Sequence, residues 1–253
     1  MRRTMRTYAV ALGPALAAAL LGGCDAGHDT QRESQTETRR LDPEGAFTLE
    51  NTNGEVVVDT WKEASVKIEA QKIGRRWAVE NTKIRIRGEG DRVSVETRQP
   101  GGSFFFGGGE VHYRVTVPER ARMEVKATNG RVRIEGSAGP VHAATMNGSV
   151  EVEDASGAVE ASTTNGSVRA AFHAAPAEGT IRLSTTNGAV TLLLPPDATG
   201  EFEASTVNGG IHSDFPLHVR GGLGGRSLTG QLGEGKARFE MRTVNGGVGI
   251  RKR

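Results

Sequence analysis

An Asn-Gly step recurs along this chain at Asn53, Asn129, Asn147, Asn165, Asn187, Asn208 and Asn245, and no other feature restricts the fold as much. From Asn129 onward the spacings are 18, 18, 22, 21 and 37 residues. The unit is therefore about 20 residues long, and the last interval reads as two units, one of them lacking its marker. The third residue after each Asn is Val56, Val132, Val150, Val168, Val190, Ile211 or Val248, and the fifth is Val58, Ile134, Val152, Ala170, Leu192, Ser213 or Ile250. Apolar residues two apart directly after a turn carry the period of a strand, with the third and fifth facing a core and the second, fourth and sixth facing water. Only Ala170 and Ser213 weaken that column. A second set of short strands falls inside the same period, at 141–145, 159–163, 181–185 and 202–206, with small inward residues at Ala143, Ala161 and Ala204. Asn and Gly suit the turns because both tolerate positive φ, Gly without a Cβ penalty and Asn through its short polar side chain.

Composition agrees with strands. The chain has 35 glycines and 12 aromatic residues among 253, and glycine inside a helix costs about 1 kcal/mol relative to alanine. Two all-β folds fit the pattern. A meander of Asn-Gly hairpins would put every turn on one rim. A β-solenoid, parallel β-helix-like with coils of about 18–22 residues, would stack equivalent strands as parallel neighbours about 4.8 Å apart. Stacking would set Arg133, Glu151 and Arg169, each four residues after an Asn, side by side with alternating charge. In a meander these groups would be next-but-one neighbours and the alternation would stabilise nothing, so the solenoid is the favoured reading.

The N-terminus is of a different kind. Arg2, Arg3 and Arg6 precede an Ala/Leu-rich stretch over 8–21, the charged and apolar regions of an export signal. It ends at Leu21-Gly22-Gly23-Cys24, which holds the only cysteine and resembles a bacterial lipobox. That resemblance implies a lipoprotein signal peptide over 1–23, cleavage before Cys24 and acylation of Cys24. Loss of three arginines would take the 32 basic residues to 29 against 30 acidic ones, which leaves no basic footprint for nucleic acid. Residues 24–40 then read as the lipidated cysteine and a flexible tether, since Asp25 to Arg40 has no large apolar residue. As a coil it would span about 20 to 25 Å. Residues 41–126 are expected to form less regular β coils, among them Asn81 with Ile84 and Ile86, which keep the phase without a glycine. Residues 127–253 are expected to form the regular coils.

Further local motifs sharpen the comparison with a known family. These are Val115-Thr116-Val117-Pro118, Thr128-Asn129-Gly130, Thr164-Asn165-Gly166, Thr186-Asn187-Gly188, Leu194-Pro195, Leu232-Gly233-Glu234-Gly235 and Thr243-Val244-Asn245-Gly246. Over about residues 45–251 the chain resembles the bacterial candidate-adhesin family called domain of unknown function 4097. The resemblance implies a β-helix-like domain of envelope proteins, often without known activity.

Chemistry-bearing residues are sparse. Gly225-Arg226-Ser227-Leu228-Thr229 lacks the last glycine of a nucleophile elbow, and the Gly-rich stretch 221–227 lacks the lysine and spacing of a phosphate loop. His112, His142, His173, His212 and His218 show no metal-ligand spacing. Glu151, Glu153 and Asp154 could hold a cation or act as a lyase-like acid, but the first two are alternating outward strand positions. The repeated Asn side chains read either as an external recognition ladder for glycans or as turn formers whose amides bond neighbouring backbone from coil to coil; turn chemistry accounts for all of them, and only Trp61 and Trp77 offer large stacking faces for a sugar. Phe104, Phe105 and Phe106, in the glycine-flanked loop 99–109, form either a cap folded over a solenoid end or a hydrophobic contact for a partner or the bilayer. The expected protein is an exported, non-enzymatic lipoprotein of the bacterial cell envelope, with the choice of inner or outer membrane open. It is an adhesin-like scaffold held to the membrane by its lipid, with an envelope protein or glycan as possible partner and no cofactor, metal or nucleic acid. A polysaccharide-active β-helix lyase or hydrolase and an envelope-stress sensor subunit are the alternatives.

Overall fold

The computed structural model describes residues 30–99, 109–222 and 225–253. The signal peptide, Cys24 and Phe104 to Phe106 lie outside the described residues. In chain order the strands are β1 (Thr30–Asn53), β2 (Val56–Trp61) and β3 (Ser65–Arg75), then a short helix α1 (Arg76–Asn81), then β4 (Lys83–Arg87), β5 (Gly90–Arg98) and β6 (Glu110–Pro118). The regular part follows with β7 (Arg122–Asn129), β8 (Val132–Glu135), β9 (Val141–Asn147), β10 (Val150–Ala155), β11 (Val159–Asn165), β12 (Val168–Phe172), β13 (Thr180–Asn187) and β14 (Val190–Leu194). The last elements are β15 (Gly200–Asn208), β16 (Ile211–Ser213), β17 (His218–Gly222), β18 (Gly225–Leu232), β19 (Arg238–Asn245) and β20 (Val248–Lys252).

The registers decide between the two folds. Val150 pairs in parallel with Val132 on one side and Val168 on the other, which a hairpin meander cannot do. Each Asn-Gly step carries the chain from one sheet face to the other, so every coil gives one strand to face B and the next to face A. Face B runs β4, β5, β1, β7, β9, β11, β13, β19, β15, β18, β17. Face A runs β1, β3, β6, β2, β8, β10, β12, β14, β20, β16. Between them lies a thin apolar core in which Val56, Val132, Val150, Val168 and Val190 are fully buried. Ala170 is fully buried as well, with the larger Phe172 buried two residues on. Ser213 is half-buried because it stands on the last strand of face A. Phe239, Phe202 and Phe215 stack at that end, with ring centroids 4.5 and 6.2 Å apart. At the opposite end the Tyr113 phenol shares a 2.6 Å hydrogen bond with Thr97, and burial pushes its pKa up to about 12.

Three expectations are corrected. Residues 30–40 are not a free tether: they form the first half of β1, antiparallel to β3 from Thr30↔Arg75 to Arg40↔Ser65. Low hydrophobicity predicted a coil, but this segment is held by ladder hydrogen bonds to the edge of β3 and by ion pairs such as Lys72 with Glu33 at 3.0 Å. Its charged side chains also suit a strand that ends a sheet. The 37-residue interval holds no unmarked coil. It contains the antiparallel hairpin β17–β18, which covers β15, and the chain then returns as β19 between β13 and β15. Asn81, finally, ends α1 and donates to the Trp77 carbonyl, while Ile84 and Ile86 lie on β4, antiparallel to β5. A hairpin thus protects each end of face B, where an open parallel edge would invite pairing with another chain.

The Arg133, Glu151, Arg169 column is formed as parallel pairing requires. Glu151 lies 3.9 Å from Arg133 and 3.7 Å from Arg131, and Arg169 turns to Glu153 at 2.8 Å. Glu151→Arg would set four arginines together. The expected loss is about 1 kcal/mol at low salt, with part recovered as salt screens the repulsion. Thermal melts of both proteins at two ionic strengths check this, and a salt-independent difference would contradict it.

Candidate functional site

The repeated turns build one continuous structure along the corner where the two faces meet, and their amides bond side chain to side chain rather than to neighbouring backbone as the sequence suggests. Each Asn side chain donates from Nδ2 to the Oδ1 of its neighbour: Asn129 to Asn53 at 2.7 Å, then Asn147 to Asn129, Asn165 to Asn147, Asn187 to Asn165, Asn245 to Asn187 and Asn208 to Asn245, each at 2.8 Å. The ladder therefore follows spatial order, with Asn245 before Asn208. Asn53 donates onward to Gln99 Oε1 at 2.9 Å. Behind the ladder runs a row of buried hydroxyls. Thr145, Thr163, Thr185, Thr243 and Thr206, each two residues before an Asn, donate to the glycine carbonyl of the preceding rung at 2.8 to 3.1 Å. The second strands read from the sequence end on Thr145, Thr163, Thr185 and Thr206, to which no role is assigned there, although their recurrence two residues before an Asn is a readable signal. Ala127 and Asn51 stand where the row would continue. Asn51 Nδ2 reaches the Val111 carbonyl at 2.8 Å and the Gly54 carbonyl at 3.3 Å, and its buried Oδ1 has no hydrogen-bond partner among the described residues.

The ladder fixes the outer surface of face B, where equivalent side chains align from strand to strand. Directly before the Asn positions are Thr128, Met146, Thr164, Thr186, Val244 and Val207; Met146, Val207 and Val244 are 54%, 52% and 40% exposed. Four residues further back along each strand runs a charged column of Glu124, His142, Glu160, Arg182, Glu240 and Glu203. It is tied by His142 to Glu160 at 3.3 Å and Arg182 to Glu240 at 3.0 Å. Between the two columns lie the small residues Ala144, Ser162 and Ser184. The hydrogen bond from Arg182 holds the Glu240 carboxyl below the usual carboxylate range. Folding therefore favours the ionised form, and its contribution is present above the unfolded pKa and lost as pH falls through the lowered one. Beside this column, Arg122, Pro140, His142, Ala158 and Glu160 line a shallow open depression.

The remaining candidates are dispersed. Glu153 and Asp154 are paired with Arg169 and Arg253, and Glu151 with Arg131 and Arg133, so the three acids do not converge on one point. His112 accepts the Glu55 N–H, His173 meets the Asp154 carbonyl, and His212 pairs with Asp214 at 3.0 Å. No group of three metal-ligating side chains forms among the described residues, and no helix there is long and apolar enough to cross a membrane. Trp61 is half-buried and donates to the Ser65 carbonyl, whereas Trp77 is exposed on α1.

Comparison with known proteins gives a family and solved structures to which the chain is similar. The family model described as Toastrack DUF4097 matches residues 107–251. A candidate cell adhesion protein from Clostridium sporogenes is 14% identical with a TM-score of 0.48, over 87% of this chain and all of the other. A candidate adhesin from Bacteroides fragilis is 13% identical with a TM-score of 0.43, over 87% of this chain and 97% of the other. No curated protein matches the chain.

Proposed function

Because this chain belongs to the DUF4097 toastrack family, we propose that it is a lipid-anchored scaffold of the bacterial cell envelope, adhesin-like and non-enzymatic, that binds through the outer surface of face B. The observation that carries this reading is the aligned surface itself. A surface repeated strand by strand and locked at one corner by the Asn ladder keeps a fixed spacing over several strands. It can meet an extended ligand at many points with little ordering cost on its own side. The exposed Met146, Val207 and Val244 add apolar contact area beside the amides.

Two measurements test the reading separately. Cys24→Ser is expected to abolish incorporation of labelled fatty acid and to move the protein out of the membrane fraction; equal labelling and retention would remove the anchor. Thr164→Lys with Thr186→Lys places two charges in the middle of face B. It is expected to weaken adhesion of protein-coated beads to envelope fractions about tenfold, while the matched Ser149→Lys with Ser167→Lys on the neighbouring side changes little. Equal effects from both pairs would remove face B as the binding surface.

A further inference from the structure

We propose that Asn208-Gly209, at the last rung of the ladder, is a site of spontaneous deamidation in the folded protein, and that the other Asn-Gly pairs are protected from the same reaction by the ladder itself. The argument rests on polarity. Along the corner every side-chain amide donates toward Asn53, while every following glycine N–H donates the opposite way. Gly54 bonds the Asn129 carbonyl, Gly130 that of Asn147, Gly148 that of Asn165, Gly166 that of Asn187 and Gly188 that of Asn245, each at 2.9 Å, and Gly246 bonds that of Asn208 at 3.0 Å. In every rung but one, the Asn Oδ1 accepts a neighbour's amide and the next backbone nitrogen is engaged. Asn208 ends the series. It donates to Asn245, but among the described residues no amide donates to its Oδ1 and no acceptor takes the Gly209 N–H.

These are the two groups that react. The Gly209 nitrogen, having given its proton to solvent hydroxide, attacks Cγ of Asn208 and forms the N–Cγ bond. The Cγ–Nδ2 bond breaks, and the amide nitrogen leaves as ammonia with a proton from water. Water then opens the resulting succinimide at either carbonyl to give aspartate or isoaspartate, so the balance is one water consumed and one ammonia released. On an inner rung the same attack must break the glycine hydrogen bond and pull the carboxamide out of the ladder. The isoaspartate product would lengthen the backbone by one atom just before β16, whose register with β20 starts at Ile211↔Val248.

The test uses the unmodified protein. Native full-length chain is held in mildly alkaline buffer and digested at intervals, and each Asn-Gly peptide is followed by mass spectrometry with fragmentation that separates aspartate from isoaspartate. Two hydrogen bonds of ordinary net strength correspond to a rate ratio of about 30, so Asn208 is expected to convert about 30-fold faster than Asn147, Asn165 and Asn187. The same incubation in urea is expected to bring all of these positions to comparable rates. Native conversion at the inner rungs as fast as at Asn208, or a preference for Asn208 that persists in urea, would overturn the proposal.

Discussion

Val150→Asp is expected to leave no cooperative unfolding transition at room temperature. Val150 is fully buried, with Val132 and Val168 beside it in the same column. Its burial contributes about 1.5 to 3 kcal/mol. A carboxylate there has no partner in the apolar core and carries an effective desolvation penalty of several kcal/mol more. The sum is comparable with the whole stability of an ordinary domain, about 5 to 15 kcal/mol. The protein can lower the penalty only by protonating the new acid, so residual structure should increase as pH falls. Circular dichroism melts check this. Thr191→Asp is the control, since Thr191 is half-buried on the outer surface of face A and pairs with Arg169; it should leave the melting temperature nearly unchanged. Similar melts for the two variants would show that the valine column is not a core.

Gly148→Ala is expected to destabilise by more than about 4 kcal/mol, although it adds one methyl group. Gly148 has φ of +151°, and an added Cβ would meet the Gly130 oxygen at 2.1 Å and its carbonyl carbon at 2.6 Å. Both atoms are backbone and cannot rotate away. The two rungs would have to separate, which stretches the Gly130 to Asn147 backbone bond and the Asn147 to Asn129 amide bond together. Gly90→Ala separates crowding from backbone preference. Gly90 has φ of +78° with nothing within 4 Å of an added Cβ, and the left-handed conformation alone costs about 1 to 2 kcal/mol. Equal losses in denaturant titrations of the two variants would mean that the rungs are not in contact at their glycines.

The candidate site was legible where its cause is local. Each Asn-Gly turn sets the phase of the strand after it, so inward and outward residues could be assigned from two-residue periodicity, and Val132, Val150, Val168 and Val190 are all buried. The opposed charges at Arg133, Glu151 and Arg169 indicated parallel neighbours because a stack makes next-coil residues adjacent. The buried threonine row was less legible. Thr163 and Thr164 are chemically identical in the sequence, yet one is buried against the Gly148 carbonyl and the other is exposed. Alternation from the inward Ala161 separates them, but the carbonyl that Thr163 meets lies on the neighbouring coil and is set by the stacking.

What the sequence determined by itself is the repeating unit: a turn that requires Asn and Gly, followed by alternation that must put one face of each strand inside. Both follow from short-range sterics and from the period of an extended chain. The order in which the units stack was decided by the tertiary structure. Nothing in the spacing of Asn187, Asn208 and Asn245 states that the last is inserted between the other two. The polar segment 30–40 likewise contains no residue that demands a strand. Both outcomes depend on which backbone edges remain open once the other strands have paired, and an unpaired N–H or C=O at a sheet edge attracts whatever strand can satisfy it, near or far in the chain.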